Sequence, residues 1–338
     1  MVDPSPTVTV IMPVLNAEQY VGEAISSILA QTLADFEFLI VNDGSTDGTV
    51  DVIQSFNDPR IRVHHHDRPM KLPCSLNWGL NEARGEFVAR MDADDIAYPK
   101  RLAQQVDFLT RNPQVQVLGT GITSFGGGQP DRLRTYPAHH DNIRAKLLFD
   151  SPMAHPTIMF RRSFMEKYQL RYDETLRFGT EDYDLWIRAS RLGKFANLKT
   201  PLLCYRSHIQ QVSSSQENLK EANQIRKKLL NDLGLEVTET DVLFHFNLLK
   251  NTQEKSEPVL QKTLTWLNTL MTANRQSHYF EEEALVALLS EVWLRICMKN
   301  RILGLKTWQI HRHSSFTRST SPMGNLVLLG KCLKYQMS

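Results

Sequence analysis

In Phe87-Val88-Ala89-Arg90-Met91-Asp92-Ala93-Asp94-Asp95, an apolar run empties into three carboxylates within four residues. The run Phe87-Val88-Ala89 reads as a buried parallel strand, and the acids fall where it stops. Carboxylates this close repel one another unless a cation holds them, which points to a hard divalent metal such as Mg²⁺ or Mn²⁺. The other reading is a solvated strand-to-loop turn, since Asp is common in turns.

Strand and helix signals alternate on both sides of this stretch. Thr7 to Met12 is a β-branched run ending at Pro13, followed by helical spacing over Glu18 to Leu29. Phe36 to Val41 is a second buried strand. It opens into Asn42-Asp43-Gly44-Ser45-Thr46-Asp47-Gly48, and a helix follows from Thr49 to Phe56. Ile61–Val63, Glu86–Met91 and Val115–Gly119 complete five strands, with helices predicted over Cys74–Ala83 and Pro99–Thr110. Such βαβ spacing predicts an α/β fold with a mostly parallel, Rossmann-like sheet covered by helices on both faces. Ligands of such sheets bind beyond the carboxyl ends of the strands, so the Asp43 loop and the Asp92–Asp95 loop are expected in one crevice. The middle is less regular: a helix is predicted over Ile143–Phe149, a strand over Thr157–Phe160, and a helix opening at Glu181-Asp182 with Thr180 as its N-cap. Beyond Ser215 the chain reads as helical and polar, so residues 1–214 are expected as the catalytic domain and 215–338 as a C-terminal helical region.

At 338 residues the chain is long enough for a large α/β domain with an appendage. The net charge of +2 excludes a nucleic-acid-binding polycation. Cys74, Cys204, Cys297 and Cys332 form no CxxC pair, which argues against a cysteine zinc site and for a reducing compartment. Met1–Pro6 has no signal-peptide pattern and no run of 18 apolar residues exists, so a cytoplasmic protein without a bilayer span is expected. From Arg295 to Ser338, by contrast, there is no Asp or Glu, while Arg295, Lys299, Arg301, Lys306, Arg312, Arg318, Lys331 and Lys334 are present.

Pro13-Val14-Leu15-Asn16, Val41 to Thr49, Asp92-Ala93-Asp94, Glu181-Asp182 and Tyr205-Arg206-Ser207-His208 stand in the order and spacing of the family 2 glycosyltransferases. From about Thr7 to Ser214 the chain resembles that family, of inverting, non-processive type and GT-A fold. The resemblance implies a nucleotide-sugar donor, with UDP as first choice, and a divalent cation, Mn or Mg. The nucleotide-sugar would be held by Pro13, Val14, Asn16, Asp43, Gly44, Ser45, Asp92, Ala93 and Arg206, with Asp43 accepting from the base. Asp94 would bind the metal, helped by Asp92 and His208. Asp182 would be the general base and Glu181 its neighbour in acceptor positioning. Asp95 would cap the segment that follows. His155-Pro156 stands where related chains carry His-Pro, without a role given to it. His64, His65 and His66 alternate faces along a strand and do not converge on one ion.

Asp67 to Lys71, with Pro69, departs from the Gly-containing loop of many relatives. No Gln-x-x-Arg-Trp motif is present, which favours single addition over polymerisation. A sugar-phosphate nucleotidyltransferase would carry a Gly-rich loop after the first strand, and an NAD-binding Rossmann protein a GxGxxG; neither is found. A catalytically inactive nucleotide-sugar-binding protein is the remaining alternative, against which the presence of both Asp94 and Asp182 counts. The acceptor is expected to be a saccharide or lipid-linked saccharide. The basic tail, which also carries Trp308, Phe316 and Leu326 to Leu329, suits either contact with an anionic membrane surface or an ordinary packed helical subdomain.

Overall fold

The computed structural model describes residues 5–128, 130–207, 216–250 and 254–336. The first compact unit is Met1–Ile143 with Ser151–Glu221. Its elements in chain order are β1 (Val8–Val14), α1 (Val21–Leu29), β2 (Phe36–Asn42), α2 (Thr49–Gln54), β3 (Ile61–His65), α3 (Leu72–Glu82), β4 (Phe87–Arg90), β5 (Ile96–Ala97), α4 (Arg101–Arg111), β6 (Val115–Gly126), β7 (Arg132–Arg134), α5 (His140–Leu147), β8 (Met159–Arg161), α6 (Arg162–Lys167), α7 (Glu181–Ala189) and β9 (Lys194–Ser207).

The strands form one sheet in the order β3-β2-β1-β4-β8-β6-β9-β5, with β7 beside β6. β1, β2 and β4 are buried on both faces apart from half-buried Pro13, which explains their near-continuous apolar runs. The four strands β3, β2, β1 and β4 are wholly parallel, as the βαβ spacing predicts. Beyond β4 the sheet is mixed. β8 inserts between β4 and β6, antiparallel to both, so the predicted fifth strand does not extend the parallel array. The predicted strand over Thr157–Phe160 begins only at Met159, because His155–Thr157 forms a 3-10 turn with Pro156 in its first turn. β9 pairs with β6 in parallel through several register shifts.

Thr180 stands at the expected N-cap position of α7, but its side chain makes no capping bond. Its hydroxyl donates to the buried Glu221 carboxylate rather than accepting from the helix. That carboxylate also accepts from the amides of Arg177 (3.0 Å) and Phe178 (3.2 Å). The hydroxyl's proton goes to a carboxylate, a strong charge-assisted bond that sets the side chain's direction.

The second compact unit, Arg144–Asp150 with Ala222–Ser338, is helical. It contains α9 (Glu239–Lys250), α10 (Glu257–Ser277), α11 (Glu282–Lys299), α12 (Leu305–His313) and α13 (Pro322–Gln336), after α8 (Gln216–Asp232), which leads into it. His245 lies in its core. Nε2 donates to Leu148 O (2.8 Å), Nδ1 accepts from Trp266 Nε1 (3.1 Å), and the ring stacks on Phe149. These partners fix one neutral tautomer. Among the described residues, no helix is long and apolar enough to cross a membrane.

Candidate active site

Register places the predicted loops. Ile11 pairs with Arg90, and Met91 N donates to Ile11 O (3.0 Å). Val14 pairs with Asn42, and Asp43 N donates to Val14 O (2.8 Å). The acidic loop after β4 and the Asp43 loop after β2 therefore flank the Pro13–Asn16 segment of β1 at one end of the sheet.

The β1 and β2 loops are stitched together. Asn16 N donates to Ser45 Oγ (3.0 Å) and Thr46 N to Asn16 Oδ1 (2.8 Å). Val14 and Ala93 have side chains in the core, so only their backbone faces the loops. Asp43 is buried, and its two carboxylate oxygens accept from the amides of Met70 (2.8 Å) and Lys71 (2.9 Å). The Pro69 loop is thus hung on Asp43. Gly44 makes room for it: at φ +79° a Cβ would sit 2.9 Å from Arg68 C and Pro69 N. The histidine run splits as its alternation requires. His64 and His66 share a face, with ring centroids 4.9 Å apart, while His65 Nδ1 meets Asn42 Nδ2 at 3.2 Å.

At the end of β4, one ligand oxygen from each of Asp92, Asp94 and Asp95 lies within 4.8 Å of the others. Burial pushes the Asp95 carboxyl well above the usual range, and the charges of Asp92 and Asp94 push it further. Burial also raises Asp92, against the pull of its ion pair with Arg90. Asp95 Oδ1 accepts from Arg206 N (2.8 Å), while buried Oδ2 has no protein partner. Hard oxygen donors, mutual repulsion and an orphaned buried carboxylate oxygen fit a divalent cation. Instead of capping its own segment, Asp95 ties the loop to β9.

Arg206 is engaged with the acidic loop in this structure. Its Nε donates to Asp94 O (2.7 Å), its Nη2 pairs with Glu23, and its guanidinium lies 4.6 Å from the ring centroids of both Tyr20 and Phe125. His208 lies outside the described residues.

Glu181 and Asp182 differ in environment. Asp182 is half-buried and accepts from Ser151 Oγ (3.2 Å) and Tyr183 N (2.7 Å). Glu181 is fully buried, and burial, helped by the Asp182 charge, pushes its carboxyl up to about 8. Its Oε1 is 3.6 Å from His155 Nδ1, and His155 Nε2 meets Tyr172 Oη at 2.9 Å. Burial, with Arg90 adding, holds His155 well below its ordinary value, so it is neutral. Asn77 fixes Tyr172 by accepting from its amide (2.9 Å) and donating to its carbonyl (2.9 Å). Arg90, Tyr172 and Ser151 were missed in sequence. A charged residue at the end of the apolar run 87–89 was the available signal for Arg90; nothing local marked Tyr172 or Ser151.

A mixed sheet with loops joined at one end and an acidic triplet at its centre defines a GT-A transferase. The family model described as glycosyl transferase family 2 matches residues 9–169. An uncharacterized glycosyltransferase of Haemophilus influenzae is 33% identical over 252 residues, covering 69% of this chain and 77% of the relative. The O-antigen biosynthesis glycosyltransferase WbnJ of Escherichia coli is 33% identical over 208 residues, 60% and 80% of the two chains. The succinoglycan biosynthesis protein ExoO of Rhizobium meliloti is 32% identical over 227 residues, 63% and 64% of the two chains. Among solved structures, S. aureus TarS 1–349 in complex with UDP-GlcNAc matches the fold at TM-score 0.59 and 16% identity, over 98% of this chain and 91% of that one. The chain belongs to glycosyltransferase family 2.

Proposed function

We propose that the chain moves a sugar from a UDP-linked donor to an acceptor hydroxyl, with inversion at the anomeric carbon, in building a cell-surface polysaccharide or glycoconjugate. The observation that carries this reading is the Asp92-Asp94-Asp95 cluster beside the stitched β1 and β2 loops. The polysaccharide setting is supported by the names of the E. coli and R. meliloti relatives, and the UDP donor by the ligand of the TarS complex. The transferase reading is assigned to the expected catalytic domain, residues 1–214, most of which lies in the first compact unit.

Asn16, Gly44 and Ser45 shape the nucleoside end with Pro13. Each Asp43 oxygen keeps a second lone pair beyond its amide partner, enough to accept from the N3–H of uracil. Asp94 and Asp92 would hold a Mn²⁺ or Mg²⁺ ion, whose positive charge would offset that of the leaving diphosphate. Arg206, through Asp95 and the Asp94 carbonyl, sets the position of that loop. Asp182 takes the proton of the acceptor hydroxyl as its oxygen attacks the anomeric carbon from the face opposite the diphosphate. Glu181 orients the acceptor side from within the core.

The test is UDP release from a panel of UDP-sugars in the presence of Mn²⁺. Wild-type protein is expected to turn over at least one donor, and Asp182→Ala to slow it by about 10²- to 10⁴-fold. Turnover that persists in both Asp94→Ala and Asp182→Ala rules the mechanism out. Binding of donors without any turnover supports the inactive-binder alternative.

A further inference from the structure

One short segment, Ser151-Pro152-Met153-Ala154-His155, faces both acids at the start of α7. Ser151 Oγ donates to Asp182 Oδ2 (3.2 Å), and His155 Nδ1 stands 3.6 Å from Glu181 Oε1. The segment is fixed along its length. Pro152 O accepts from the buried side-chain amide of Asn197 (3.3 Å), and Ala154 O accepts from Thr157 N (2.9 Å) and Thr157 Oγ1 (2.8 Å). His155 Nε2 meets Tyr172 Oη at 2.9 Å, which anchors the far end in the core. The other Asp182 oxygen, Oδ1, accepts from Tyr183 N (2.7 Å). A carboxylate directed at both oxygens by rigid neighbours has its plane set before an acceptor arrives.

The Ser151 hydroxyl has a second acceptor within reach. Met153 O lies 3.3 Å from its Oγ, and a hydroxyl has one proton to give. Both distances are long for an O–H···O bond, as expected of one proton shared between two acceptors. The ionised carboxylate is the stronger acceptor, and a protonated one loses that advantage. Glu181 and Tyr172, which feel the Asp182 charge, are both kept neutral by burial near pH 7, so neither repels it.

We propose that Ser151 is a positioning residue for Asp182, its hydroxyl donating to the carboxylate until the acceptor's proton arrives and then turning to the Met153 carbonyl. The proposal rests on the reading of Asp182 as general base. In that step the acceptor oxygen bonds to the anomeric carbon, its proton passes to Asp182, and the diphosphate leaves with the electron pair of the broken C–O bond. The Ser151 proton stays on Oγ throughout. A donor with two acceptors orients the ionised base and is not stranded when the base is neutralised.

The test compares wild type with Ser151→Ala and Ser151→Thr by two readouts. One is the carboxyl-carbon NMR titration of Asp182, its signal identified through Asp182→Asn. The other is the pH–rate profile of UDP release from a UDP-sugar with Mn²⁺. In Ser151→Ala the carboxyl titration is expected to move up by about one pH unit, because the ionised form loses a donor. The acidic limb of the rate profile should move with it, while KM for the donor stays at the wild-type value. Ser151→Thr keeps the hydroxyl and should follow wild type in both. A serine that is merely structural would lower the thermal melt, checked in parallel, and leave both curves in place. An unmoved carboxyl titration in Ser151→Ala, or a Ser151→Thr variant that behaves like Ser151→Ala, overturns the proposal. A carboxyl titration that moves while the rate profile does not supports the bond and overturns Asp182 as the base, so the two failures are distinct.

Discussion

At the scale of single residues, the site is a problem of charge kept out of water. Arg90 is 4% exposed and pairs with Asp92, and its field also reaches Glu181, Tyr172 and His155. Glu181, raised to about 8, keeps its proton in the folded protein at neutral pH and loses it when unfolded. The unfolded chain therefore binds fewer protons between about pH 4.5 and 8, so stability falls as pH rises through that window, by up to ~1.4 kcal/mol per unit. Glu181→Gln keeps the shape and removes the titration. Urea unfolding across this range should show the variant gaining on wild type as pH rises; a parallel pH dependence of the two would mean that Glu181 is ionised in the fold. Asp182, next in the chain, is held instead by Ser151 and its own helix start. Two adjacent acids with different surroundings can take different roles, the outer one exchanging protons and the inner one not.

At the scale of elements, the nucleoside end is a set of loops that hold one another. Gly44→Ala would strain a φ of +79° and press on the Arg68–Pro69 backbone, so we expect a cost of about 1–3 kcal/mol in thermal unfolding. Asp43→Asn leaves one of the Met70 and Lys71 amides facing an NH₂ group, so weaker UDP binding in calorimetry should accompany the lost stability. In the helical unit, burial pushes His245 down to about 4. Its stabilising contribution is complete above about pH 6.5 and is lost as pH falls toward 4, because the unfolded imidazole takes the proton first. His245→Gln should flatten that part of the pH–stability curve; an unchanged curve contradicts a neutral buried ring. The strands and the acidic loops were legible because β1, β2 and β4 are buried on both faces and β2 and β4 run out into acids. Pairing was not, since β8 is three residues long and its place between β4 and β6 depends on partners distant in sequence. β9 was hidden by Pro201 and a polar middle, and so was the anchoring of Arg206 on Asp95. The partner of the Thr180 hydroxyl was not legible, because Glu221 is 41 residues away.

At the scale of the molecule, a family 2 transferase unit is continued in the chain by a helical unit. If the acidic triplet is a metal site, donor binding depends on a divalent cation. The measurement is calorimetric titration of UDP into wild type and Asp94→Ala, with and without Mn²⁺. In wild type, Mn²⁺ should tighten UDP binding by about tenfold or more, equivalent to ~1.4 kcal/mol or more. Asp94→Ala should bind UDP weakly and with no response to the metal. UDP affinity that is the same with and without Mn²⁺ in wild type, or a full Mn²⁺ response in Asp94→Ala, contradicts the account.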